Sequence, residues 1–570
     1  MKQSLFLFIY FCVESLKAKP KQMKLSPAIS ILLAATAALS CSTDEKGKAV
    51  FDYFEYAGND TFYLEHPLPD KSWVYNPILP GWYSDPSICT NGEGDYFLAT
   101  STFVYYPGVP LFHSRDLVNW KQIGNVLTSD AQMAGMEGQG VSGGIFAPDI
   151  KYNPANKTYY MTTINVGTGN FFVKTTDPWG EWSEPIALPE VHGIDPSFFF
   201  DEDGRAYIVN NDDAPDGKPE YDGHRTIRIR EFDTATDKVC GEEIILLNKG
   251  VRPEEKPIWI EGPHIYKING KYFLMAAEGG TSVEHSEVIL RADSPMGPYT
   301  PWKGNPILTQ RHLDANRDNP VTCAGHADLV QTPEGDWWAV FLACRPTHDD
   351  HENLGRETFL MPVRWSQDGF PYLTEGEQTV PPIVKVNGAA RGESVTFGNF
   401  RVRDEFDSDK LGLEWMTLRS GAEHLYSLDE KKGSLTLNCS PVKASDKSTP
   451  ALIARRLQHH SFRASTGMSF DGGGSAGMIL FKDETHHYSF LSDGEILSVL
   501  KEDTLLASVN TGPYKQLDLI ISSDGRQFQF SYKLDGNQET VLLNNVSAEH
   551  LSTKTAGGFT GTTIGIYATD

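Results

Sequence analysis

Ile194-Asp195-Pro196-Ser197-Phe198, then a Gly-containing turn, then the run Arg205–Asn210 (RAYIVN), decides how this 570-residue chain is read. A short polar motif, a turn and a β-branched, aromatic run describe the start of a small antiparallel sheet. The same plan occurs four more times. The leading motifs are Ser84-Asp85-Pro86-Ser87-Ile88, Ala147-Pro148-Asp149-Ile150, Glu261-Gly262-Pro263-His264-Ile265 and Gly325-His326-Ala327-Asp328-Leu329. The runs that follow them are Asp95–Thr100 (DYFLAT), Thr158–Thr163 (TYYMTT), Lys271–Ala276 (KYFLMA) and Asp336–Phe341 (DWWAVF). Helical periodicity is scarce throughout. Repeats at an irregular spacing of roughly 45–65 residues, each one small sheet, predict an all-β fold with a five-bladed propeller. The innermost strand of every blade faces the central channel, so the five polar motifs should converge there. Asp-Pro and Gly-Pro also start ordinary turns; that explains any one motif, but not five in corresponding places.

Past residue 380 the pattern changes. Val380-Pro381-Pro382-Ile383 and Asn387–Gly392 (NGAARG) mark a boundary, and Arg403–Ser408 (RDEFDS) opens a second series of alternating strands. Gly433–Asn438, Gly477–Phe481, Leu517–Ile521 and Gly565–Ala568 belong to it. About 170 residues of this kind predict a β-sandwich of concanavalin or jelly-roll type. The expected layout is a propeller over 73–385, a linker over 386–402 and a sandwich over 403–570.

At the other end, Met23-Lys24 leads into an apolar stretch around Ile29–Leu33 and then small residues before Cys41. A basic start, an apolar centre and small residues before a cut describe an export signal rather than a spanning helix. The Cys resembles the lipidated first residue of a bacterial lipoprotein. Residues 1–41 are thus expected to be a signal and 42–72 a polar tether, placing the protein on the cell envelope through a lipid at Cys41. Met23 is an alternative start, because a separate apolar stretch, Leu5–Val13, precedes it. The remaining cysteines, Cys89, Cys240, Cys323, Cys344 and Cys439, are scattered without metal-type spacing and read as buried free thiols, with Cys323 and Cys344 the one pair to consider.

The formal charge of −25, from 50 basic and 75 acidic residues, excludes nucleic acid and anionic membrane surfaces as partners, since no basic patch offsets it. It also disfavours strongly acidic polymers. Aromatic residues make up 11% of the chain, enough to build sugar-stacking surfaces. A neutral ligand fits better.

The convergent motifs carry five carboxylates: Asp85, Asp149, Asp195, Glu261 and Asp328. Cleaving a glycosidic bond takes one carboxylic acid to protonate the leaving oxygen and a second carboxylate acting at the anomeric centre. Crowded acids in one channel raise one another's pKa, which keeps at least one protonated near neutrality. No cofactor is required by this chemistry.

Tyr75–Ile88 (YNPILPGWYSDPSI), Ile194–Phe199 (IDPSFF) and Trp259–His264 (WIEGPH) resemble the signatures of glycoside hydrolase family 43. Ser101–Pro110, His113–Trp120 and Asn353–Thr358 are similar to its β-xylosidase members, and Ala454–His459 and His486–Tyr488 to their appended sandwich. The resemblance implies an inverting hydrolase, most simply an exo-acting β-xylosidase, with α-L-arabinofuranosidase as the alternative. It implies Asp85 as general base, Glu261 as general acid and Asp195 as the residue tuning and orienting the acid. It further implies Arg356 contacting sugar hydroxyls, Phe103 and Phe146 as aromatic walls, and Phe559 reaching over the propeller mouth from the sandwich. Many relatives carry Trp where Phe146 stands. His264 is expected in substrate binding, or else as a core histidine. His326 matches a histidine that helps hold a channel calcium in some members, so a structural calcium is the one ion expected there. Asp404, Glu405 and Asp570 are weaker candidates for a calcium in the sandwich. An invertase-like retaining enzyme does not fit Ser84-Asp85-Pro86-Ser87 and Glu261-Gly262. A non-catalytic sugar-binding propeller is expected to lose one of the acids, and all three are present.

Overall fold

The computed structural model describes residues 47–570 except residue 315; the expected export signal and Cys41 lie outside the described residues. Each of the five repeats forms one antiparallel sheet. Their innermost strands are Ser87–Thr90, Ile145–Asn153, Ile194–Phe200, Glu261–Ile268 and Thr322–Gln331, which define blades 1 to 5. The apolar runs seen in the sequence are the second strands. In blade 4 every residue from Tyr272 to Glu278 is buried, because blades pack on both of its faces; the run is therefore continuously apolar rather than alternating.

Ring closure uses the first stretch of the propeller against its last blade. Ile78 N–H donates to Thr358 O (2.9 Å), and the Asn76 side chain both donates to Leu360 O (2.9 Å) and accepts from Leu360 N–H (2.9 Å). Pairing residue 78 with residue 358 leaves blade 5 without an open outer edge.

The C-terminal region forms two packed sheets. One contains Ser461–Asp471, Leu517–Asp524, Gln527–Leu534 and Thr540–Ser547; the other contains Ala451–Arg456, Thr563–Thr569, Ser475–Asp483, His486–Ser492, Ile496–Lys501 and Thr504–Asn510. The tether expected over 42–72 is corrected here. Lys48–Gly58 is a strand in the middle of the first sheet, antiparallel to Ser461–Asp471 and flanked by Leu435–Asn438 and Arg401–Asp404. Its Ala49, Phe51, Phe54 and Tyr56 are at most 1% exposed. A register shift between Phe51 and Tyr53 breaks the strict alternation, which hides the strand from a period-two reading. From Lys48 onward the chain thus contributes a strand to the sandwich, builds the propeller and returns.

The two domains share a core. Trp82, Phe103 and Tyr105 of the propeller pack in one buried cluster with Leu452, Ala454, Phe481 and Tyr567 of the sandwich. Arg456, from the sandwich, lies 4.1 Å over the Trp82 ring and donates to Trp82 O (2.9 Å). Such a dry, hydrogen-bonded interface fixes the sandwich against one end of the propeller.

Candidate active site

One local device, repeated in every blade, builds the site. Each innermost strand carries an extra residue relative to its partner at the polar motif, and that of blade 5 carries a second between Thr322 and Gly325. Glu261 pairs with Ala277 and His264 with Met275; the same three-for-two offset occurs at Phe146/Asp149, Ile194/Ser197 and Gly325/Asp328. In blade 1, Ser101 N–H bonds Ser84 O (3.0 Å) while Ser87 pairs with Ala99. These are β-bulges, which re-aim side chains at a sheet rim. The bulged residues are Asp85, Ala147, Asp195, Gly262 and His326. Four of them sit in the left-handed region, with φ of 52° at Asp85, 53° at Asp195, 55° at Gly262 and 52° at His326. Aspartate tolerates that conformation better than most residues. At Gly262 a Cβ would stand 2.9 Å from His326 Nε2, so only glycine fits beside the acid.

The bulges sort the motif residues into layers, a distinction invisible in the sequence. Asp85 and Asp195 occupy the bulge itself, Glu261 precedes it, and Asp149, His264 and Asp328 follow it one layer deeper. In the deep layer Asp149 Oδ2 accepts from Phe198 N–H (2.9 Å), and Asp328 Oδ2 accepts from Ile88 N–H (2.9 Å) and Ser87 Oγ (2.8 Å). Tyr266 Oη donates to Asp328 Oδ1 (2.6 Å). Lys151 Nζ lies 2.7 Å from Asp328 and 3.1 Å from Asp149. Burial opposes ionisation of Asp328, but His264, Lys151 and Tyr266 hold its carboxyl well below the usual range. Burial likewise disfavours the Lys151 ammonium, and Asp149 and Asp328 more than offset it. Both carboxylates are therefore braces that tie neighbouring blades together, and Asp328 is held in its charged form.

The expectation that His264 binds substrate is corrected. It belongs to this deep layer, with Nδ1 3.4 Å from Asp149 Oδ1, and lines a narrow space of about 10 Å³ below the main cavity, enough for one water. Among the described residues, Asp149, His264 and Asp328 are the one His/Cys/Asp/Glu group with ligand atoms within 4.8 Å of one another. The Lys151 ammonium already serves those carboxylates. His326 has one carboxylate beside it, Asp85, at 3.8 Å, whereas calcium takes six to eight oxygen ligands. The donor set at His326 does not make a calcium cage. In the sandwich, Asp404 instead accepts from Phe406 N–H (2.8 Å) and the Trp415 indole (2.8 Å), and Glu405 pairs with Arg403.

Above the deep layer opens a cavity of about 290 Å³, at the small end of ligand pockets. It brings together Asp85, Asp195, Glu261, Phe103, Phe146, His326, Arg356 and Phe559. Blades 3 and 4 are neighbours, joined by the bond from Ser197 Oγ to Pro263 O, so Asp195 and Glu261 stand side by side. Blade 1 adjoins blades 2 and 5 through Ser87, which places Asp85 across the channel from that pair. Asp195 Oδ2 accepts from Gly262 N–H (3.0 Å), fixing the backbone next to Glu261. Asp85 Oδ2 accepts from Ser101 Oγ (2.5 Å).

Burial is the largest influence on both neighbours. It pushes Glu261 well above the usual carboxyl range, with Asp195 and then Asp85 adding to it and Arg356 and the Trp259 side chain opposing. Asp195 is pushed up to about 7, by burial first and Asp85 second. Asp195, the residue expected to tune the acid, thus itself resists ionisation. Burial pushes His326 below the ordinary histidine range, against the pull of Asp85.

The cavity walls come from both domains. Phe559 rings lie 5.6 Å from Phe146 and 6.2 Å from Phe103, and the Arg356 guanidinium sits 5.0 Å over Phe559. Phe559 N–H is held by Ser142 Oγ (2.9 Å). Arg356 is 7% exposed, and among the described residues it has no ion-pair partner within 4.0 Å, which leaves its N–H groups for a ligand rather than for a carboxylate. Reading the sequence missed Ile258, Trp259, Thr281, His285 and Leu342, all of which line the cavity. Trp259 alone carried a signal, two places before the acid. Cys323 and Cys344 are free thiols on neighbouring strands of blade 5.

A propeller whose channel gathers a buried, protonated carboxyl opposite a second carboxylate, under an aromatic roof, defines a glycoside hydrolase. Comparison with known proteins agrees. Residues 74–371 match the model for glycosyl hydrolases family 43, and residues 403–570 match the beta xylosidase C-terminal concanavalin A-like domain. The chain belongs to glycosyl hydrolases family 43. It is 37% identical over 519 residues to a xylosidase/arabinosidase of Butyrivibrio fibrisolvens, covering 86% of this chain and 95% of that protein. It is 34% identical over 515 residues to a non-reducing end alpha-L-arabinofuranosidase of Bacteroides ovatus, covering 86% and 90%. Among solved structures, a family 43 protein from capybara gut metagenome superposes with a TM-score of 0.85 at 38% identity, covering 91% of this chain and 99% of that one.

Proposed function

We propose that this hydrolase is an inverting, exo-acting β-xylosidase that trims xylan- and arabinoxylan-derived oligosaccharides. The observation that carries the reading is the placement of buried Glu261, kept protonated, across the channel from Asp85 in a cavity roofed by Phe559. The Asp85 carboxylate takes a proton from water, whose oxygen attacks the anomeric carbon. Glu261 delivers its proton to the glycosidic oxygen as the C–O bond breaks, and the anomeric configuration inverts. Asp195 orients Glu261 through Gly262 N–H and, when charged, strengthens its hold on the proton. Arg356 donates to sugar hydroxyls. The donor set beside His326 does not support the expected calcium, so no step runs through a metal. A roof supplied by the sandwich limits the cavity to one chain end, hence the exo reading.

α-L-Arabinofuranosidase activity is the second reading. Phe146 presents a smaller wall than Trp, and the Bacteroides ovatus relative bears that activity in its name. The amino-terminal sequence supports export and a lipid anchor at Cys41.

The test measures release of xylose and arabinose from nitrophenyl β-xyloside, nitrophenyl α-L-arabinofuranoside and xylobiose. The wild type should release xylose of inverted configuration, followed by NMR. Glu261→Gln should lose roughly 10²–10⁴ in kcat on xylobiose, and far less on an activated leaving group that needs no acid. Full turnover of xylobiose by Glu261→Gln, or retention of configuration, refutes the assignment.

A further inference from the structure

The reading above leaves the aglycone, the sugar that departs, without a binding surface. Glu261 protonates the departing oxygen, so the aglycone must lie on the Glu261 side of the cavity. Of the residues lining the cavity, Ile258 and Trp259 lie just before Glu261 in the chain, and Gly280 and Thr281 belong to the loop paired with them. They belong to two paired loops: Gly279 N–H donates to Ile258 O (2.9 Å), and Trp259 N–H donates to Gly223 O (2.8 Å). This rim is open, with Ile258 53% exposed, whereas Phe103, Leu342 and Arg356, which also line the cavity, are buried. Trp259 is the one aromatic residue of the open rim. It is held in an uncommon left-handed conformation, φ 56°, which costs on the order of 1–3 kcal/mol and persists only where surroundings over-determine it. The Arg225 guanidinium covers one face of its ring at 3.9 Å and is itself paired with Asp213.

We infer that Trp259, braced by Arg225, is the platform that binds the aglycone sugar ring of a pentose disaccharide or longer oligosaccharide. The inference rests on the pentosidase reading. An indole with one face taken by a cation and the ring bordering the cavity offers a stiff apolar surface to the CH face of a sugar ring. Its Nε1–H side also acts on Glu261, so the same residue touches both leaving group and acid, and the experiment has to separate the two.

Turnover is stopped with Glu261→Gln, and calorimetry compares xylobiose with xylose, and arabinofuranobiose with arabinose. The disaccharide should bind more tightly than the monosaccharide. Adding Trp259→Ala should cut that ratio about ten-fold, the upper end of what one aromatic contact contributes. Trp259→Phe keeps an aromatic face and loses the indole N–H, and should preserve most of the ratio. Arg225→Met, which keeps the indole intact, should lower the ratio about two- to three-fold. An unchanged ratio in Trp259→Ala, or equal losses in the Phe and Ala variants, overturns the platform. If wild type turns over nitrophenyl pentosides while either of those results holds, only the platform fails. If wild type cleaves neither pentoside and the Gln variant binds neither disaccharide, the pentosidase reading falls and the platform falls with it.

Discussion

Replacing Asp195 by Asn keeps the shape and the Oδ acceptor for Gly262 N–H (3.0 Å) but removes the charge beside Glu261. At an effective dielectric of about 20, a unit charge roughly 6 Å away is worth about 3 kcal/mol, or about two pH units in the acid's titration. Asp195 is itself raised to about 7 and so carries only part of that charge near neutrality; about one pH unit is the expected net effect. Because Asp195 raises Glu261, its loss lets Glu261 ionise earlier. The alkaline limb of kcat/KM on xylobiose should therefore move down by about one pH unit in Asp195→Asn. Stability should respond in the opposite sense. The folded-state pKa of Asp195 lies above its unfolded value of about 4, so the folded protein holds a proton that the unfolded chain releases, and stability falls as pH rises from about 4 to about 7. Asn carries no such penalty. Asp195→Asn should be more stable than wild type at pH 8, by on the order of 2–4 kcal/mol, with the difference vanishing toward pH 4. Thermal melts at the two pH values and pH–rate profiles measure both arms. An alkaline limb that stays put or moves up, or a variant less stable than wild type at pH 8, refutes this account of the pair.

Lys151→Met leaves Asp149 and Asp328 buried without their cation and should cost about 3–5 kcal/mol of stability, read as a lowered melting temperature, while the alkaline limb set by Glu261 stays where it was; a moved limb with little loss of stability contradicts the bracing role. Cys41→Ala should abolish fatty-acid labelling and release an active protein from the membrane fraction, and labelling that persists disposes of the proposed anchor.

Much of the fold was legible because it is written locally and then repeated. Five polar motifs, each followed by a turn and an apolar run, state five sheets, and alternation after residue 403 states a sandwich. The strand Lys48–Gly58 escaped because its register shift breaks alternation and its partners lie some 400 residues away, where no local pattern reaches. Asp85, Asp195 and Glu261 stood out as carboxylates in corresponding motifs, and the structure brings all three into one cavity. Asp149, Asp328 and His264 stood in motifs that looked alike, yet a bulge of one residue drops them a layer deeper.

Strand periodicity and turn chemistry act over a few residues, so the formation of five short sheets and the convergence of their carboxylates on one axis are set locally in the chain. Which carboxyl is pushed toward its protonated form depends instead on the assembled blades. That follows from burial and from which blades are neighbours: Lys151 reaches both Asp149 and Asp328 and helps hold Asp328 as an anion, whereas Glu261, walled in beside Asp195, finds no compensating cation in contact. Only the tertiary structure, likewise, set Phe559 of the sandwich beside Phe146 and Arg356 of the propeller, because a shared core across hundreds of residues of chain positions that wall.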